Sequence, residues 1–327
     1  MERVLRDKKV LVTGGAGFIG SNLVESLLQS GNYVVCLDNL STGKKENIAG
    51  FLSNPSFKLI EGDIRNYDDC VNAVRNTEIV FHQAALGSVP RSIKDPVLAT
   101  DVNIGGFVKM LFASKEAGVK RFVYAVSSST YGDNPELPKV EERIGNPLSP
   151  YAITKYVDEL YASNFSKIYG IEVIGLRYFN VFGRRQDPEG PYAAVIPTFV
   201  KLLMNHKRPV INGDGSYSRD FTYIDNVIQA NHLSATFNNP DSINQVYNIA
   251  QGGRTTLNEL FKMIRSEAGA YDGTILEIEP EYGPVRGGDV PHSQASIEKA
   301  ERLLGYKPVY NVQQGLREAI RWYRKNL

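Results

Sequence analysis

Cysteine is scarce in this chain of 327 residues: there are two, Cys36 and Cys70. One falls in a strand-like apolar run and the other on a helix-like one, which argues against a disulfide framework or a cysteine-based metal site and for a reducing compartment. An excess of charge of one sign is also missing. Lys+Arg at 37 against Asp+Glu at 36 gives a formal charge of +1, so neither nucleic acid nor an anionic membrane is expected as a partner. The short apolar run inside MERVLRDKKVLVTGG ends in glycine, too soon for a signal sequence or a membrane span, and a cytoplasmic protein is expected. Repeats, low-complexity stretches and a flexible linker are absent, so any two halves are expected to pack as one unit around a cleft.

What is present is an alternation of short apolar strands with helices. Lys9–Thr13 reads as a buried strand, followed by a glycine turn and an amphipathic helix over Phe18–Leu28. Tyr33–Asp38, Phe57–Ile60, Ile79–Gln83, Arg121–Val126 and Glu172–Leu176 continue the strands, and Pro150–Tyr169 reads as a helix starting behind Ser149. Such alternation predicts an α/β fold, a Rossmann-type doubly wound parallel sheet over residues 1–178. Residues 179–327, richer in Gly and Pro loops and holding helices at Ile196–Asn205 and Val312–Asn326, read as a smaller C-terminal substrate-binding domain. Parts of 219–251, namely Phe221–Ile224 and Val246–Ile249, are candidates to return to the sheet edge.

The turn after the first strand spaces Gly14, Gly17 and Gly20 three apart. Strand, glycines, then a helix N-terminus is the order that lets backbone N–H groups and a helix dipole meet a pyrophosphate. Asp38 closes the second strand 18 residues after Gly20, where a carboxylate accepts from the ribose hydroxyls and repels a 2′-phosphate, favouring NAD over NADP. Lys44 and Lys45 stand close by and keep NADP in play. Asp63 has two readings, a contact near the adenine or a helix N-cap.

Tyr151 and Lys155 lie at i and i+4 on the predicted helix and share one face. A phenol has a reference pKa of about 10, and bringing it near 7 takes roughly 4 kcal/mol of preferential phenolate stabilisation. A neighbouring ammonium and an oxidised nicotinamide together can supply this. Ser127, Ser128 and Ser129 follow the fifth strand, at the carboxyl edge where open α/β sheets bind ligands.

TGGAGFIG, LDNLSTG, EGDI, FHQAA, SSSTYG, SPYAITK and LRYFNVFG stand in one order along the chain. This set resembles the extended short-chain dehydrogenase/reductases, and most of all the UDP-N-acetylglucosamine 4-epimerases of polysaccharide synthesis. The resemblance implies bound NAD, a UDP-sugar substrate and a homodimer formed through the helices around Pro96–Glu116 and Pro150–Tyr169. It implies that Ser127 and Tyr151 contact the reacting hydroxyl while Lys155 holds the nicotinamide ribose. Phe18, Ile19, Asn39, Ser41, Thr42, Gly43, Ile64, Gln83, Ala84, Asn103 and Tyr178 match cofactor positions. Uridine diphosphate is implied at Asn180, Val195, Ile211, Asn212, Arg219, Arg286 and Asp289, and the sugar at Gly87, Ala194 and Ser293. A 4,6-dehydratase would carry carboxylates where Ser128 and Ser129 stand. A UDP-glucuronate epimerase or decarboxylase would need a cation such as Arg184 or Arg185.

Overall fold

The computed structural model describes residues 3–189, 193–285 and 290–326. Seven parallel strands form the main sheet: β1 (Lys9–Thr13), β2 (Tyr33–Asp38), β3 (Phe57–Glu61), β4 (Ile79–His82), β5 (Arg121–Ser127), β6 (Glu172–Tyr178) and β7 (Gln245–Ile249). Their order is β7-β6-β5-β4-β1-β2-β3, with the reversal between β1 and β4 that marks the ligand crevice of doubly wound sheets. Val10, Leu11 and Val12 of β1 and Val80 and Phe81 of β4 are fully buried, as central parallel strands require.

Each face of the sheet has its own core. One cluster joins Leu11, Val80 and Phe122 to Cys70, Phe107, Met110, Ala162 and Phe165, from helices Tyr67–Ala73, Phe107–Glu116 and Pro150–Tyr169. The other joins Val10, Val12 and Phe81 to Leu23 and Leu27, and runs on into Phe199, Leu203, Phe261, Leu316 and Ile320 of the C-terminal half. The halves therefore share a hydrophobic core, as the absence of a linker predicts. Both cysteines are buried and free.

Helix Pro150–Tyr169 has the predicted bounds for a local reason. Ser149 accepts the Ala152 N–H at 3.1 Å, Pro150 occupies the first turn, and Gly170 ends the helix at φ 73°. The run Pro96–Glu116 is long and apolar enough to cross a membrane by length and composition alone. Ala99, Phe107, Met110 and Leu111 are nonetheless buried within the fold. A π-turn over Asp101–Gly106 interrupts it.

One expectation about the sheet is half right. Val246–Ile249 lies in β7, paired with β6, but Phe221–Ile224 does not reach the sheet. Thr222–Tyr223 pairs instead with Val181–Phe182, and Ile224 already begins helix Ile224–Thr236. That helix lies against the sheet, where Asn231 Nδ2 donates to Tyr178 Oη at 3.0 Å, and against helix Phe18–Gln29, where His232 Nε2 meets Ser26 Oγ at 2.8 Å.

Candidate active site

All seven strands end on one edge, where the glycine turn after β1, Asp38 of β2 and Ser127 of β5 lie. The glycine turn has a steric logic. Gly14 has φ 67°, and a Cβ on it would stand 2.8 Å from Ala84 Cα, while a Cβ on Gly20 would collide with Gly14 O. Helix Phe18–Gln29 starts at Gly17 with no side-chain cap, so the N–H groups of Phe18 and Ile19 keep their capacity for an anion.

Gly14, Gly17, Asp38, Asn39, Ser41, Thr42, Gly43, Asp63, Ile64, Gln83 and Ala84 line one cavity of about 380 Å³. Asp38 Oδ2 accepts the Ala16 N–H at 2.9 Å and Oδ1 the Leu40 N–H at 2.8 Å, so the carboxylate fastens the glycine turn to the loop after β2. Asp63 is not a helix N-cap, since Asn66 caps helix Tyr67–Ala73 through the Asp68 N–H. Asp63 instead accepts from Arg65 at 2.7 Å and from Asn39 at 2.8 Å, and the Arg65 guanidinium brings its carboxyl down to about 2. Lys44 pairs with Asp187 at 2.9 Å and Lys45 with Glu61 at 2.8 Å, and Asp38, Asp63, Arg65 and Arg91 are the charged residues lining this cavity.

Asn103 and Tyr178 act behind the cavity wall. Asn103 Oδ1 accepts the Leu86 N–H at 2.7 Å, and its amide donates to Thr154 at 3.1 Å, so the π-turn ties the loop after β4 to the Tyr151 helix. Tyr178 Oη lies 3.3 Å from the Gln83 amide nitrogen. Burial pushes its phenol up to about 12, so it serves as a neutral hydrogen-bonding group.

A second cavity, about 320 Å³, is lined by Asn180, Ala194, Val195, Asn212 and Arg219 among others. Five residues expected at the substrate therefore meet, although they come from four separate segments. Ile211 is packed into the core at 1% exposure, so it offers this cavity no side chain. Arg219 donates to the carbonyls of Ser218 at 3.0 Å and Pro291 at 3.1 Å. Ser293 does not line the cavity, but its N–H donates to Ser218 O at 3.0 Å, next to Arg219. Gly87 is exposed, with no atom within 4 Å of where a Cβ would stand. Arg286 and Asp289 lie outside the described residues.

Ser127, Ser128, Ser129, Tyr151 and Lys155 line neither cavity. Ser127 ends β5, and its Oγ accepts from the Ser129 N–H at 3.2 Å and the Ser129 hydroxyl at 3.0 Å. Tyr151 is half-buried, its N–H donating to Ser92 Oγ at 3.0 Å. Lys155 is 2% exposed and donates to Ala125 O at 3.2 Å and Asp158 Oδ2 at 3.0 Å. Burial would lower its ammonium pKa, but Asp158, Tyr151 and Glu159 carry it above the ordinary value, so Lys155 is a cation beside the phenol.

The family model for NAD-dependent epimerases and dehydratases matches residues 10–250. The chain belongs to that family. It is 38% identical over 320 residues to a putative UDP-glucose 4-epimerase of Methanocaldococcus jannaschii, covering 97% of this chain and 99% of that one. Among solved structures it resembles UDP-N-acetylglucosamine 4-epimerase from Methanobrevibacter ruminantium M1 in complex with UDP-N-acetylmuramic acid. That match has a TM-score of 0.91 and 39% identity over 99% of this chain and 100% of the other. UDP-glucose 4-epimerase from Thermotoga maritima with UDP-glucose gives a TM-score of 0.89 and 38% identity over 97% and 99% of the two chains.

NAD is the cofactor of this family, and the uncapped helix start, the glycine cradle and Asp38 fit a dinucleotide. Several neighbours of the site escaped the sequence reading. Arg65 and Arg91 line the glycine-turn cavity, and Tyr217 and Thr198 the second one. Arg65 was legible in principle, two residues past Asp63 in GDIRN, whereas the others have no motif. Arg184 and Arg185 turn away from both cavities, onto Asp225 at 2.7 Å and Glu25 at 2.9 Å. Arg184 and Asp225 border a larger cavity of about 800 Å³ that contains none of the predicted site residues.

Proposed function

We propose that this family member is a UDP-sugar 4-epimerase whose substrate pair is UDP-N-acetylglucosamine and UDP-N-acetylgalactosamine. The observation that carries the reading is the grouping of Tyr151, cationic Lys155 and the Ser127–Ser129 turn, at the strand edge that also holds the glycine cradle. In its ionised form Tyr151 takes the proton of the sugar 4-hydroxyl as the C4–H bond breaks, and Ser127 orients that hydroxyl. NAD, which the glycine turn and Asp38 would hold, would supply a reversible hydride acceptor for carbon 4, open to return on either face of the 4-keto sugar. Tyr151 then returns its proton to the new hydroxyl. Atoms and electrons balance with no net oxidation, and Lys155 steadies the phenolate throughout.

The remaining cofactor residues hold their expected roles in this reading: Asp38 at the adenosine ribose and the N–H groups of Phe18 and Ile19 at the pyrophosphate. Arg219 with Asn180, Val195 and Asn212 binds the nucleotide. The choice of an N-acetylated sugar is supported by three small residues, Gly87, Ala194 and Ser293, and by the open space at Gly87. Serines at 128 and 129, and the commitment of Arg184 and Arg185 to Asp225 and Glu25, weigh against a dehydratase and a glucuronate-specific enzyme. The test is purified protein with UDP-N-acetylglucosamine and no added NAD, followed by NMR of the sugar. Formation of the galacto epimer is expected. A 4-keto-6-deoxy product, or turnover of UDP-glucose alone, would reject the proposal.

A further inference from the structure

The buried carboxylate of Asp158 has no part in the reaction just described, yet it touches the residue that powers it. Asp158 is 0% exposed and Lys155 2%. Asp158 Oδ2 accepts from Lys155 Nζ at 3.0 Å, and Asp158 Oδ1 has no hydrogen-bond partner although it too is buried. An ammonium carries three protons. Ala125 O and Asp158 take two of them, both on the sheet side, which leaves one for the cofactor and Tyr151.

The other charged and titratable groups around Lys155 do not serve as its counter-ion. Glu159, next on the same helix, is held by Arg177 of β6 through bonds of 2.8 and 2.7 Å. His82 of β4 is neutral, its imidazole pushed down to about 3 by burial and then by the Lys155 charge. Tyr124 of β5 is raised by burial and by Glu159 and Asp158, and so stays a neutral phenol. Tyr151 is the group that Lys155 must act on. Asp158 is thus the one carboxylate among the described residues in direct contact with this cation.

We propose that Asp158 is the positioning residue of the site: it anchors the Lys155 ammonium on the sheet side and, as its buried counter-ion, limits how strongly that charge acidifies Tyr151. The inference rests on the proposed roles of Tyr151 and Lys155. A carboxylate at this distance does two opposing things. Burial pushes the Asp158 carboxyl itself up to about 7 against the opposing pull of Lys155, so above that pH the carboxylate keeps a desolvated lysine protonated and cancels part of the field felt by the phenol. Replacing it by an amide removes both effects, so both limbs of the pH–rate profile move to lower pH: Tyr151 ionises earlier, and Lys155 loses its proton earlier.

The experiment is the pH profile of kcat/KM for UDP-sugar epimerisation by the holoenzyme, wild type against Asp158→Asn, with Tyr151→Phe alongside. For Asp158→Asn the alkaline limb is expected to fall by about one unit or more, and the acid limb by a smaller amount in the same direction. NAD content and melting temperature report whether the variant folds, and Asp158→Ser replaces it if it does not. Limbs that stay in place in a folded variant, even with lower kcat, would overturn the proposal and leave Asp158 a packing residue. Loss of fold in both variants would overturn it likewise. Near-wild-type activity in Tyr151→Phe would instead defeat the catalytic reading beneath it, which separates the two failures.

Discussion

Asp38 fastens a turn and, in the proposed complex, meets the ribose, and a pair of substitutions can separate the two tasks. Its carboxylate receives two backbone N–H groups, from Ala16 at 2.9 Å and Leu40 at 2.8 Å, and in the proposed complex it also faces the adenosine ribose. Hydrogen bonds to a charged group contribute about 1.5–3 kcal/mol each. Asp38→Ala unfastens the glycine turn from the loop after β2 and removes the ribose acceptor of the proposed complex, so NAD affinity should fall by two orders of magnitude or more, at roughly 1.4 kcal/mol per tenfold. That loss alone would not prove a ribose contact, because an unfastened turn weakens every dinucleotide.

The ratio of NADP to NAD affinity is the discriminating quantity. Two unit charges about 4 Å apart interact by roughly 4 kcal/mol at an effective dielectric near 20. Relief of even a third of that is a tenfold gain for NADP relative to NAD. Asp38→Asn keeps one acceptor for the turn and removes the charge, so it should shift the ratio at least tenfold while costing NAD less than alanine does. Lys44 and Lys45 sit in exposed pairs with Asp187 and Glu61, pairs that exchange for a 2′-phosphate at little cost. Calorimetric titration of the cofactor-stripped enzyme measures both affinities. If both fall in parallel and the ratio stands still, Asp38 acts only through the turn and the ribose assignment is wrong.

Three further outcomes are expected. Ser293→Tyr should abolish turnover of the N-acetylated pair while UDP-glucose and UDP-galactose survive, read as the ratio of kcat/KM for the two pairs; an unchanged ratio removes Ser293 from the acetamido side. Burial brings the His82 imidazole down to about 3 and that of His232 to about 4. Their folded pKa values lie below the unfolded one, so their stability is complete above about pH 6.5 and is lost as pH falls toward 4, at about 1.4 kcal/mol per pH unit for each. Urea unfolding of His82→Asn between those pH values should show a slope shallower by one proton, and an equal slope would refute a neutral buried imidazole. Val97, Phe112, Ile153, Leu160 and Ile168 stand exposed on the two helical stretches expected to form a dimer. Val97→Arg with Leu160→Arg should turn a light-scattering dimer into a monomer, and a monomeric wild type at micromolar concentration would contradict the expectation.

The parts of this molecule that could be read from sequence are those whose cause is local. Ser149, Pro150 and Gly170 cap and end the Tyr151 helix with their own backbone and side chains, so its bounds were visible. The glycine turn was visible because its spacing is set by close approach within one β-turn-α unit. Thr222–Tyr223 was misplaced because a pair of two-residue strands is defined by the neighbour it meets, Val181–Phe182, and by nothing in its own pattern. Asn103 also braces Leu86 and Thr154 from inside a π-turn, which no periodicity announces. The engagement of Lys44, Arg184 and Arg185 with Asp187, Asp225 and Glu25 was equally hidden, since each partner comes from far along the chain.

The proposed chemistry asks for opposite mechanical properties on its two sides, and the distribution of polar contacts is consistent with that. Hydride must leave and return along one line, so the nicotinamide side has to be rigid. On the side the proposed complex gives to the nicotinamide, Thr13 braces His82 at 3.0 Å and the Ala84 N–H at 3.2 Å, and Tyr178 joins Gln83 to Asn231. The sugar must turn over between the two transfers, so its walls have to be held from behind and not from within. Asp220 does this for the second cavity. Its buried carboxylate accepts the N–H groups of Gln251 at 3.0 Å, Gly252 at 3.1 Å and Ala295 at 3.3 Å, clasping together the segments that carry Arg219 and Ser293. The clasp touches neither side chain, so in the proposed complex it would fix Arg219 at the nucleotide and Ser293 at the sugar without filling the space between them. An epimerase needs that space, because a pocket that gripped the keto sugar as tightly as its nucleotide would return the hydride to the face it came from.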